Sequence, residues 1–456
     1  MSRLVVVSNR VALPKESRAG GLASALQAAL AEHGGLWFGW SGRIASKPSE
    51  KPQIEKNGPI SYALFDLTRS DYENYYLGFA NRTLWPLLHF RPDLVDYNRR
   101  HLDGYLHVNR LFARRLARLL RPDDRVWVHD YHLIPLGREL RALGVDACTG
   151  FFLHVPLPPP ELLLTLPGQD ALLNALTAYD LVGFQTAPDL RAFRGYLEHE
   201  AHATLLDADR IRTKDGRTLR AGAFPISIDT GLIARQAQAA INQSATRRLI
   251  TSLEGHALAI GVDRLDYSKG LPERFEAFGR FLSQQTMRRS QVSLLQIAPP
   301  SREEVKEYRE LRAELEGVAG AINGRFSEPD WVPIRYVNRS FRQSTLAGFY
   351  RVAAIGLVTP LRDGMNLVAK EFIAAQSADD PGVLVLSRFA GAALELKQAI
   401  IVNPWDIDDT AEGIERALAM SLAERRERWQ TMFEHLQTHD ITAWRNAFLN
   451  ALAENR

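Results

Sequence analysis

Residues 356–371, Gly-Leu-Val-Thr-Pro-Leu-Arg-Asp-Gly-Met-Asn-Leu-Val-Ala-Lys-Glu, combine a buried strand, a glycine turn and a helix start. Asp363 and Glu371 flank the turn, and carboxylates accept hydrogen bonds from sugar hydroxyls. Backbone amides at a helix N-terminus carry partial positive charge and can hold a diphosphate without a metal. The pattern predicts a nucleotide-sugar site; the alternative is an ordinary βα turn with acidic residues near the helix start.

A second polar cluster, residues 261–270, follows the apolar segment Leu258–Ile260. Arg264 and Lys269 can stabilise the negative charge that a departing nucleoside diphosphate gains in a glycosyl transfer, in place of a divalent metal. Asp263 and Asp266 are separated by two residues, so they do not form the Asp-x-Asp pair of a metal-dependent transferase. We interpret these two residues as turn formers.

The amino-terminal half offers polar groups where apolar runs end. Leu4–Val7 leads to Arg10, paired glycines occur at Gly20 and Gly21, and Asp130 and His154 each end an apolar run. A lone histidine is more often structural than catalytic, which is how we interpret His129 and His132, but Asp130 and His154 at two strand ends form a better candidate pair. No His, Asp or Glu spacing matches a recognised metal site.

Short apolar runs alternate with longer amphipathic ones, which is typical of parallel α/β sheets. We therefore predict two doubly wound, Rossmann-like α/β domains, residues 1–230 and 231–456, with the ligand in the cleft between them at the carboxyl ends of the strands. The final helix is free to pack on either domain. The predicted strands are Leu4–Val7, Arg125–His129, Gly150–His154, Leu181–Phe184, Leu258–Val262, Leu294–Ala298, Ile355–Thr359, Val383–Leu386 and Ile400–Val402.

Composition excludes several classes of partner. The 456 residues carry 56 Lys and Arg against 53 Asp and Glu, a formal charge of +3, and the basic residues are not gathered in a stripe. We therefore expect no nucleic-acid partner, and no apolar segment approaches the roughly 18 residues of a membrane span. The single cysteine, Cys148, and an N-terminus without a signal-peptide apolar region predict a cytoplasmic enzyme.

Longer motifs resemble the trehalose-6-phosphate synthase family over almost the whole chain. They are residues 4–10, 35–42, 129–133, 263–274 and 362–371. The resemblance implies a retaining glycosyltransferase of GT-B architecture that moves glucose from UDP-glucose to the anomeric hydroxyl of glucose 6-phosphate, with no cofactor or metal. It also implies front-face substitution, in which the leaving phosphate takes the acceptor proton; a double displacement would need a carboxylate nucleophile, for which Asp130 is the candidate.

The resemblance also implies individual roles. The amino-terminal domain would bind the acceptor and the carboxyl-terminal domain the nucleotide sugar. Apart from the resemblance, we expect the partners to be small-molecule substrates and the protein to be a homo-oligomer. Glu371 would contact the ribose, Asp363 the donor glucose and His154 the donor sugar, while Arg10, Arg302 and Tyr76 would hold the acceptor phosphate. The implied catalytic residues are Arg264, Lys269, Asp130, His154 and Asp363; the donor-binding residues are Gly20, Gly21, Arg264, Lys269, Asp363, Leu367, Val368, Ala369, Lys370 and Glu371; the acceptor-binding residues are Arg10, Tyr76, Trp85, Asp130 and Arg302.

Two other functions stay open. One is a related glucosyltransferase with another phosphorylated acceptor, such as a glucosylglycerol-phosphate synthase, which the fit of Tyr76, Trp85 and Asp130 around a hexose would distinguish. The other is a non-catalytic sugar-phosphate sensor. A sensor would be expected to have lost some of Arg264 and Lys269 or the acidic pair Asp363 and Glu371, and all four are present.

Overall fold

The computed structural model describes residues 2–13, 26–27, 29–32, 34–284, 292–302 and 304–454, and it divides into two compact units. The first unit comprises Met1–Ile226 and Thr442–Arg456, and the second comprises Ser227–Ile441. The chain thus passes from the first unit to the second between residues 226 and 227, and its final helix belongs to the first. Gly20 and Gly21 lie outside the described residues.

A ten-stranded sheet forms the centre of the first unit as far as that unit is described. Its order is β3-β4-β2-β1-β5-β6-β7-β10-β9-β8, parallel from β4 to β10 and antiparallel at both edges. The strands are β1 Leu4–Arg10, β2 Gly35–Ile44, β3 Gln53–Asn57, β4 Ile60–Leu67, β5 Arg125–His129, β6 Cys148–Phe152, β7 Leu181–Phe184, β8 Thr204–Leu205, β9 Arg210–Arg212 and β10 Thr218–Ala223.

Helices connect these strands. A π-helical segment, Tyr72–Leu84, joins α1 to α2, and short 3₁₀ turns cover Pro92–Leu94, Tyr131–Leu133 and Asn174–Ala178. The α-helices of this part whose bounds lie in the described residues are α1 Arg69–Asp71, α2 Trp85–Leu88, α3 Arg99–Ala117, α4 Leu136–Ala142, α5 Pro160–Leu163, α6 Gln169–Leu173 and α7 Ala187–His199.

None of the helices in the described part of the chain is long and apolar enough to cross a membrane.

The second unit has six parallel strands in its described residues, in the order β13-β12-β11-β14-β15-β16. The strands are β11 Ala257–Val262, β12 Val292–Ile297, β13 Ile334–Val337, β14 Ile355–Val358, β15 Val383–Ser387 and β16 Ile400–Val402. The helices are α8 Thr230–Ala240, α9 Ser244–Leu253, α10 Leu271–Gln284, α11 Lys306–Phe326, α12 Gln343–Val352, α13 Leu367–Ala375, α14 Ile407–Ala419 and α15 Leu422–Thr438, with 3₁₀ turns at Tyr267–Lys269 and Gly391–Leu394.

The last helix, α16 (Ile441–Ala453), packs on the first sheet. Its Phe448 stacks on Trp127 of β5, with 4.8 Å between the ring centroids. Gly150 and Gly183, on the neighbouring strands, make room for that ring, because a Cβ at either position would lie within 2.9 Å of it. The two glycines therefore decide where the end of the chain docks.

All nine predicted strands are present, with ends shifted by one or two residues in most cases. They were recognisable because strands covered on both faces consist of continuous apolar residues; β5, β6 and β14 are buried along nearly their whole length. Seven of the described strands were not predicted from the sequence, because their residues mix polar and apolar types, in several cases with glycine: β2, β3, β4, β8, β9, β10 and β13.

Both sheets reverse their winding at one place. In the first, β1 lies between β2 and β5, so the connections run in opposite directions on its two sides, and in the second β11 lies between β12 and β14. A doubly wound sheet binds ligands at the carboxyl ends of the strands at this switch point, where the two following loops diverge. The fold therefore directs attention to the ends of β1 and β5 and to the ends of β11 and β14.

Gly356 sets how closely α13 packs on β14. A Cβ at this position would lie 2.8 Å from the buried ring of Phe372. Gly356→Ala is therefore expected to lower the free energy of unfolding by about 1–3 kcal/mol, because the helix must move away from the strand. The measurement is urea-induced unfolding followed by circular dichroism.

Gly317→Ala is the matched control, since Gly317 is exposed on α11 and a Cβ there meets no atom of the described chain within 4 Å. It should be neutral or stabilise by up to about 1 kcal/mol, as expected for glycine in a helix interior. Equal effects of the two substitutions would contradict the proposed packing.

Candidate functional site

In the first unit, Asp130 and His154 occupy adjacent strand ends. Asp130 follows β5 with φ 78°, and its amide donates to the Phe152 carbonyl at 2.8 Å. The Asp130 carboxylate in turn accepts the backbone N–H of His154 at 3.2 Å. The left-handed backbone of a non-glycine residue is uncommon and is often found at functional sites. The structure thus brings these two predicted residues together, while Arg10 ends β1 at the same edge of the sheet.

Burial disfavours the charged form of the His154 imidazole. Burial lowers the pKa of His154 to about 3, and burial also holds the pKa of His129 well below its usual value. His129 Nδ1 lies 3.0 Å from His154 Nε2, and Gln185 Nε2 lies 3.3 Å from His154 Nδ1. The sequence pattern indicated a structural role for His129 and gave no signal for Gln185.

An aromatic cluster surrounds the predicted acceptor residues Tyr76 and Trp85. Tyr76 is partly exposed and stacks on Tyr72 and His132, whereas Trp85 is 4% exposed and packs on Tyr131. The π-helical segment that carries Tyr76 is tied to the first strand by its Tyr75 hydroxyl, which donates to Asn9 Oδ1 at 2.8 Å. Tyr76 is therefore held by stacking while it stays partly exposed, whereas Trp85 is part of the core.

In the second unit, Lys269 and Asp363 meet. Lys269 lies after β11 and Asp363 after β14, the two strands at the switch point, and the Lys269 ammonium pairs with the Asp363 carboxylate. Asn366 donates from Nδ2 to the same carboxylate at 3.1 Å. Arg264, on the loop after β11, is exposed. A cation and a carboxylate that are mostly buried are thus held at the place where a doubly wound sheet binds ligands.

The turn before α13 is fixed by a distant segment. Asn366 has φ 72° and leaves the first turn of α13 without a side-chain cap. Asp363 N donates to the Phe389 carbonyl at 3.1 Å, and Gly391 N donates to the Asp363 carbonyl at 3.2 Å. A Cβ at Gly391 would meet the Gly364 carbonyl oxygen, so glycine is required there. The uncapped amides of Leu367, Val368 and Ala369 suit an anion.

Glu371 and Lys370 have different surroundings. Glu371 accepts a hydrogen bond from Gln343 Nε2 at 3.1 Å, and burial raises the pKa of its carboxyl. Lys370 is completely buried, and its Nζ lies 2.7 Å from Glu395. The side chain of Lys370 is therefore committed to a structural ion pair, so that at this position the main chain is the part available to a ligand.

Arg302 has a carboxylate partner in its own unit. Its guanidinium lies 3.3 Å from Asp266 and also contacts the Tyr308 hydroxyl. Arg302 has a positive φ of 50°. Asp130, another predicted site residue, and Asn366, which adjoins the site, share this backbone feature. Asp266 additionally accepts the Ser268 amide at 3.0 Å, which is the turn-forming role interpreted from the sequence.

Arg274, which the sequence analysis did not single out, organises this end of the second sheet. Its fully buried guanidinium donates to Asp263 at 2.6 Å, Gln296 at 2.9 Å and Thr359 at 2.9 Å. It thereby joins the ends of β11, β12 and β14. Asp263 is thus an ion-pair partner and not a turn former, and burial raises the pKa of its carboxyl although Arg274 opposes that shift. The sequence did contain a signal for this role, because Arg274 lies within the apolar stripe of α10 formed by Leu271, Phe275, Phe278 and Leu282.

No group of three or more His, Cys, Asp or Glu residues that could hold a metal ion occurs among the described residues.

Comparison with known proteins identifies the family. The model of glycosyltransferase family 20 matches residues 3–454. The chain belongs to glycosyltransferase family 20. It is 50% identical over 457 residues to the trehalose-6-phosphate synthase of Sinorhizobium fredii, covering 99% of this chain and 98% of that protein. The family resemblance inferred from the motifs is therefore confirmed.

Two solved structures of similar proteins bear on this family 20 site. One is an α,α-trehalose-phosphate synthase (UDP-forming) from Burkholderia xenovorans in complex with glucose-6-phosphate, 50% identical, with a TM-score of 0.96 and 99% and 100% of the chains covered. The other, from E. coli, is bound with UDP-2-fluoro glucose; it is 46% identical, with a TM-score of 0.95 and 99% of each chain covered. The predicted α/β fold with two parallel-sheet domains is confirmed, and the chain is a glycosyltransferase.

Removal of the buried guanidinium should be far more costly than removal of an exposed one on the same helix. Arg274→Met leaves the Asp263 carboxylate buried without its cation, so we expect the free energy of unfolding to fall by about 3–5 kcal/mol. Arg280→Met removes an exposed pair with Asp408 and should cost at most about 1 kcal/mol. Urea titrations of both variants measure the difference, and a similar small loss in both would refute the role of Arg274.

Glu371→Gln is expected to stabilise the family 20 fold at neutral pH. The folded pKa of Glu371 is raised above its unfolded value, so its ionised form opposes folding at neutral pH, and this opposition disappears as the pH falls through the folded pKa. The Tm gain of the variant should therefore be largest near pH 7 and shrink towards pH 4. Glu412→Gln, at an exposed position on α14, is the control and should leave Tm unchanged; a loss of Tm in Glu371→Gln at pH 7 would contradict this electrostatic account.

Proposed function

We propose that this chain moves glucose from UDP-glucose to the anomeric hydroxyl of glucose 6-phosphate, giving α,α-trehalose 6-phosphate and UDP. The observation that carries the proposal is the paired Lys269 and Asp363 at the switch point of the second sheet, beside the uncapped start of α13. A cation, a sugar-binding carboxylate and helix amides are the groups that a nucleotide sugar requires. Membership of family 20 and the substrates in the similar structures narrow the choice of donor and acceptor.

The donor would be held by charges of fixed position. The diphosphate would lie at the amides of Leu367, Val368 and Ala369, and Glu371 would accept a ribose hydroxyl. The Asp363 carboxylate, oriented by Asn366, would accept hydroxyls of the donor glucose. Gly20 and Gly21, which the sequence analysis assigned to the donor, stay a prediction.

Arg264 and Lys269 would act mainly on the transition state. As the bond from the anomeric carbon to the diphosphate oxygen breaks, negative charge grows on the phosphate, and fixed cations stabilise it more than they stabilise the bound substrate. The acceptor oxygen bonds to the anomeric carbon on the same face, and its proton passes to the departing phosphate oxygen. The protein then supplies position and charge, and we infer that no metal is needed.

The acceptor would be held by groups of the first unit. Arg10 and Tyr76 would bind the phosphate, since guanidinium groups grip phosphate through paired donors; Arg302, a residue of the second unit, stays a prediction as a further phosphate ligand. Asp130, with its carboxylate anchored by the His154 amide, and the ring of Trp85 would bind the glucose. The expected homo-oligomer and cytoplasmic location also stay predictions.

The decisive experiment measures UDP release from UDP-glucose with glucose 6-phosphate, with glycerol 3-phosphate and without acceptor, in the presence of EDTA. We expect release only with glucose 6-phosphate and an α,α-1,1-linked product by NMR. Release only with glycerol 3-phosphate would identify the glucosylglycerol-phosphate synthase. If no acceptor gives release, with UDP-glucose or with glucose donors that carry another nucleotide base, the non-catalytic sensor is the remaining function. Loss of activity in EDTA that is restored by a divalent cation would overturn metal independence.

Alanine at either cation should reduce turnover without unfolding the protein. We expect Lys269→Ala and Arg264→Ala to lower kcat by about 100-fold or more, the scale of losing one charge-stabilising donor. Lys306→Ala removes an exposed lysine that pairs with Glu310 on α11 and should leave kcat unchanged. Steady-state kinetics measures kcat, and thermal melts show whether each variant is folded. Near wild-type kcat in both site variants would exclude the proposed role of the cations.

A further inference from the structure

A chain of hydrogen bonds leads from a backbone amide to a buried histidine. The Ile226 amide lies 3.0 Å from Gln185 Oε1, Gln185 Nε2 lies 3.3 Å from His154 Nδ1, and His154 Nε2 lies 3.0 Å from His129 Nδ1. At the far end, His129 Nε2 is buried and has no hydrogen-bond partner among the described residues. The ring of Trp127 lies beside it, with 4.5 Å between the ring centroids.

Only one arrangement of hydrogens satisfies this chain of hydrogen bonds. A backbone amide can only donate, so Gln185 must turn its oxygen to Ile226 and its NH₂ group to His154. His154 Nδ1 must then accept, which places the ring hydrogen on Nε2, where it donates to His129 Nδ1. The hydrogen of His129 is thereby left on Nε2, the atom without a partner. A donor that is buried without an acceptor is unfavourable, so its presence calls for an explanation.

Neither ring can gain a second proton without breaking the chain of hydrogen bonds. A proton on His154 Nδ1 would face the Gln185 NH₂ group, and a proton on His129 Nδ1 would face the N–H of His154. Burial disfavours the charged form of both rings in the same direction. The charged group that contacts His154 in the described structure is Asp130, through the backbone amide; the rings of Phe152 and Trp444 pack against the imidazole.

We propose that Gln185 and His129 are positioning residues that hold His154 as a neutral imidazole with its hydrogen on Nε2. The proposal rests on the proposed function and on the role that the family resemblance implies for His154, a contact with the donor sugar. The transition state of glycosyl transfer carries positive charge on the sugar ring, so an imidazolium beside it would be repelled. The Ile226 amide sets the direction of these hydrogen bonds. Because that direction keeps His154 uncharged, no imidazolium charge lies beside the reacting sugar.

Gln185→Glu inverts this polarity with almost no change of shape. The new carboxylate still accepts the Ile226 amide, but it also accepts a hydrogen from His154 Nδ1 and favours the cation. We expect kcat to fall by about 10–100-fold, the range found when an outer partner of a functional histidine is lost, with a smaller change in the KM of the acceptor. Gln284→Glu makes the same charge change at the exposed end of α10 and should have wild-type kinetics.

A pair of His129 variants gives a second test that does not depend on Gln185. His129→Asn offers an amide oxygen near the position of Nδ1 and should keep kcat within about threefold, whereas His129→Leu removes the acceptor and should lose about tenfold or more. Equal kcat in the asparagine and leucine variants would remove His129 from the proposal.

The hydrogen position itself is read without substrate. In protein labelled with ¹⁵N-histidine, the ring-nitrogen shifts report which nitrogen carries hydrogen, and the His154 signals are assigned by their loss in His154→Asn. We expect hydrogen on Nε2 in the wild type and on Nδ1, or on both nitrogens, in Gln185→Glu. Hydrogen on Nδ1 in the wild type, or an unchanged tautomer with wild-type kcat in Gln185→Glu, would overturn the proposal, while an inactive wild type with the expected shifts would refute the proposed function alone.

Discussion

The buried ion pair of Arg274 and Asp263 is the interaction on which the second unit's site depends. A fully buried guanidinium is costly unless its donors are satisfied, and here the partners come from the ends of three neighbouring strands. Satisfying one side chain therefore fixes where β11, β12 and β14 end relative to one another. The loops that leave those strands carry Lys269 and Asp363, so the pairing of the site residues inherits its geometry from Arg274.

In each unit the candidate site residues lie at or beside the switch point of the sheet, but the groups that hold them in place differ. In the first unit the supporting groups are neutral: a backbone amide holds the Asp130 carboxylate, and His154 lies between Gln185 and His129. The second relies on charge, with Lys269 against Asp363. This difference suits a glycosyl transfer, in which the sugar becomes positive and the diphosphate becomes negative. Uncharged supporting groups avoid placing a cation beside the sugar, and cations stabilise the diphosphate.

Much of the fold was accessible from local sequence. The apolar segment before Pro360 and the helix start after Asn366 are each decided by neighbouring residues, which is why β14 was predicted at nearly its observed bounds and the start of α13 was recognised. The strand β2, rich in glycine and tryptophan, was missed because its pairing with β1 and β4, more than its own pattern, makes it a strand. Gln185, likewise, could not be recognised from its neighbours in the sequence, because only the fold brings it into contact with His154.

The family, the alternation of strands and helices and most of the polar residues at the strand ends followed from the amino-acid sequence, because motifs and periodicity are properties of contiguous residues. How those residues are used followed from the folded arrangement. The Lys370 side chain pairs with Glu395, and Asp263 pairs with Arg274. Glycine is required at Gly391 because another turn passes so close to it. Each of these outcomes depends on distances between segments far apart in the chain, which burial and hydrogen-bond satisfaction set only once the sheets have formed.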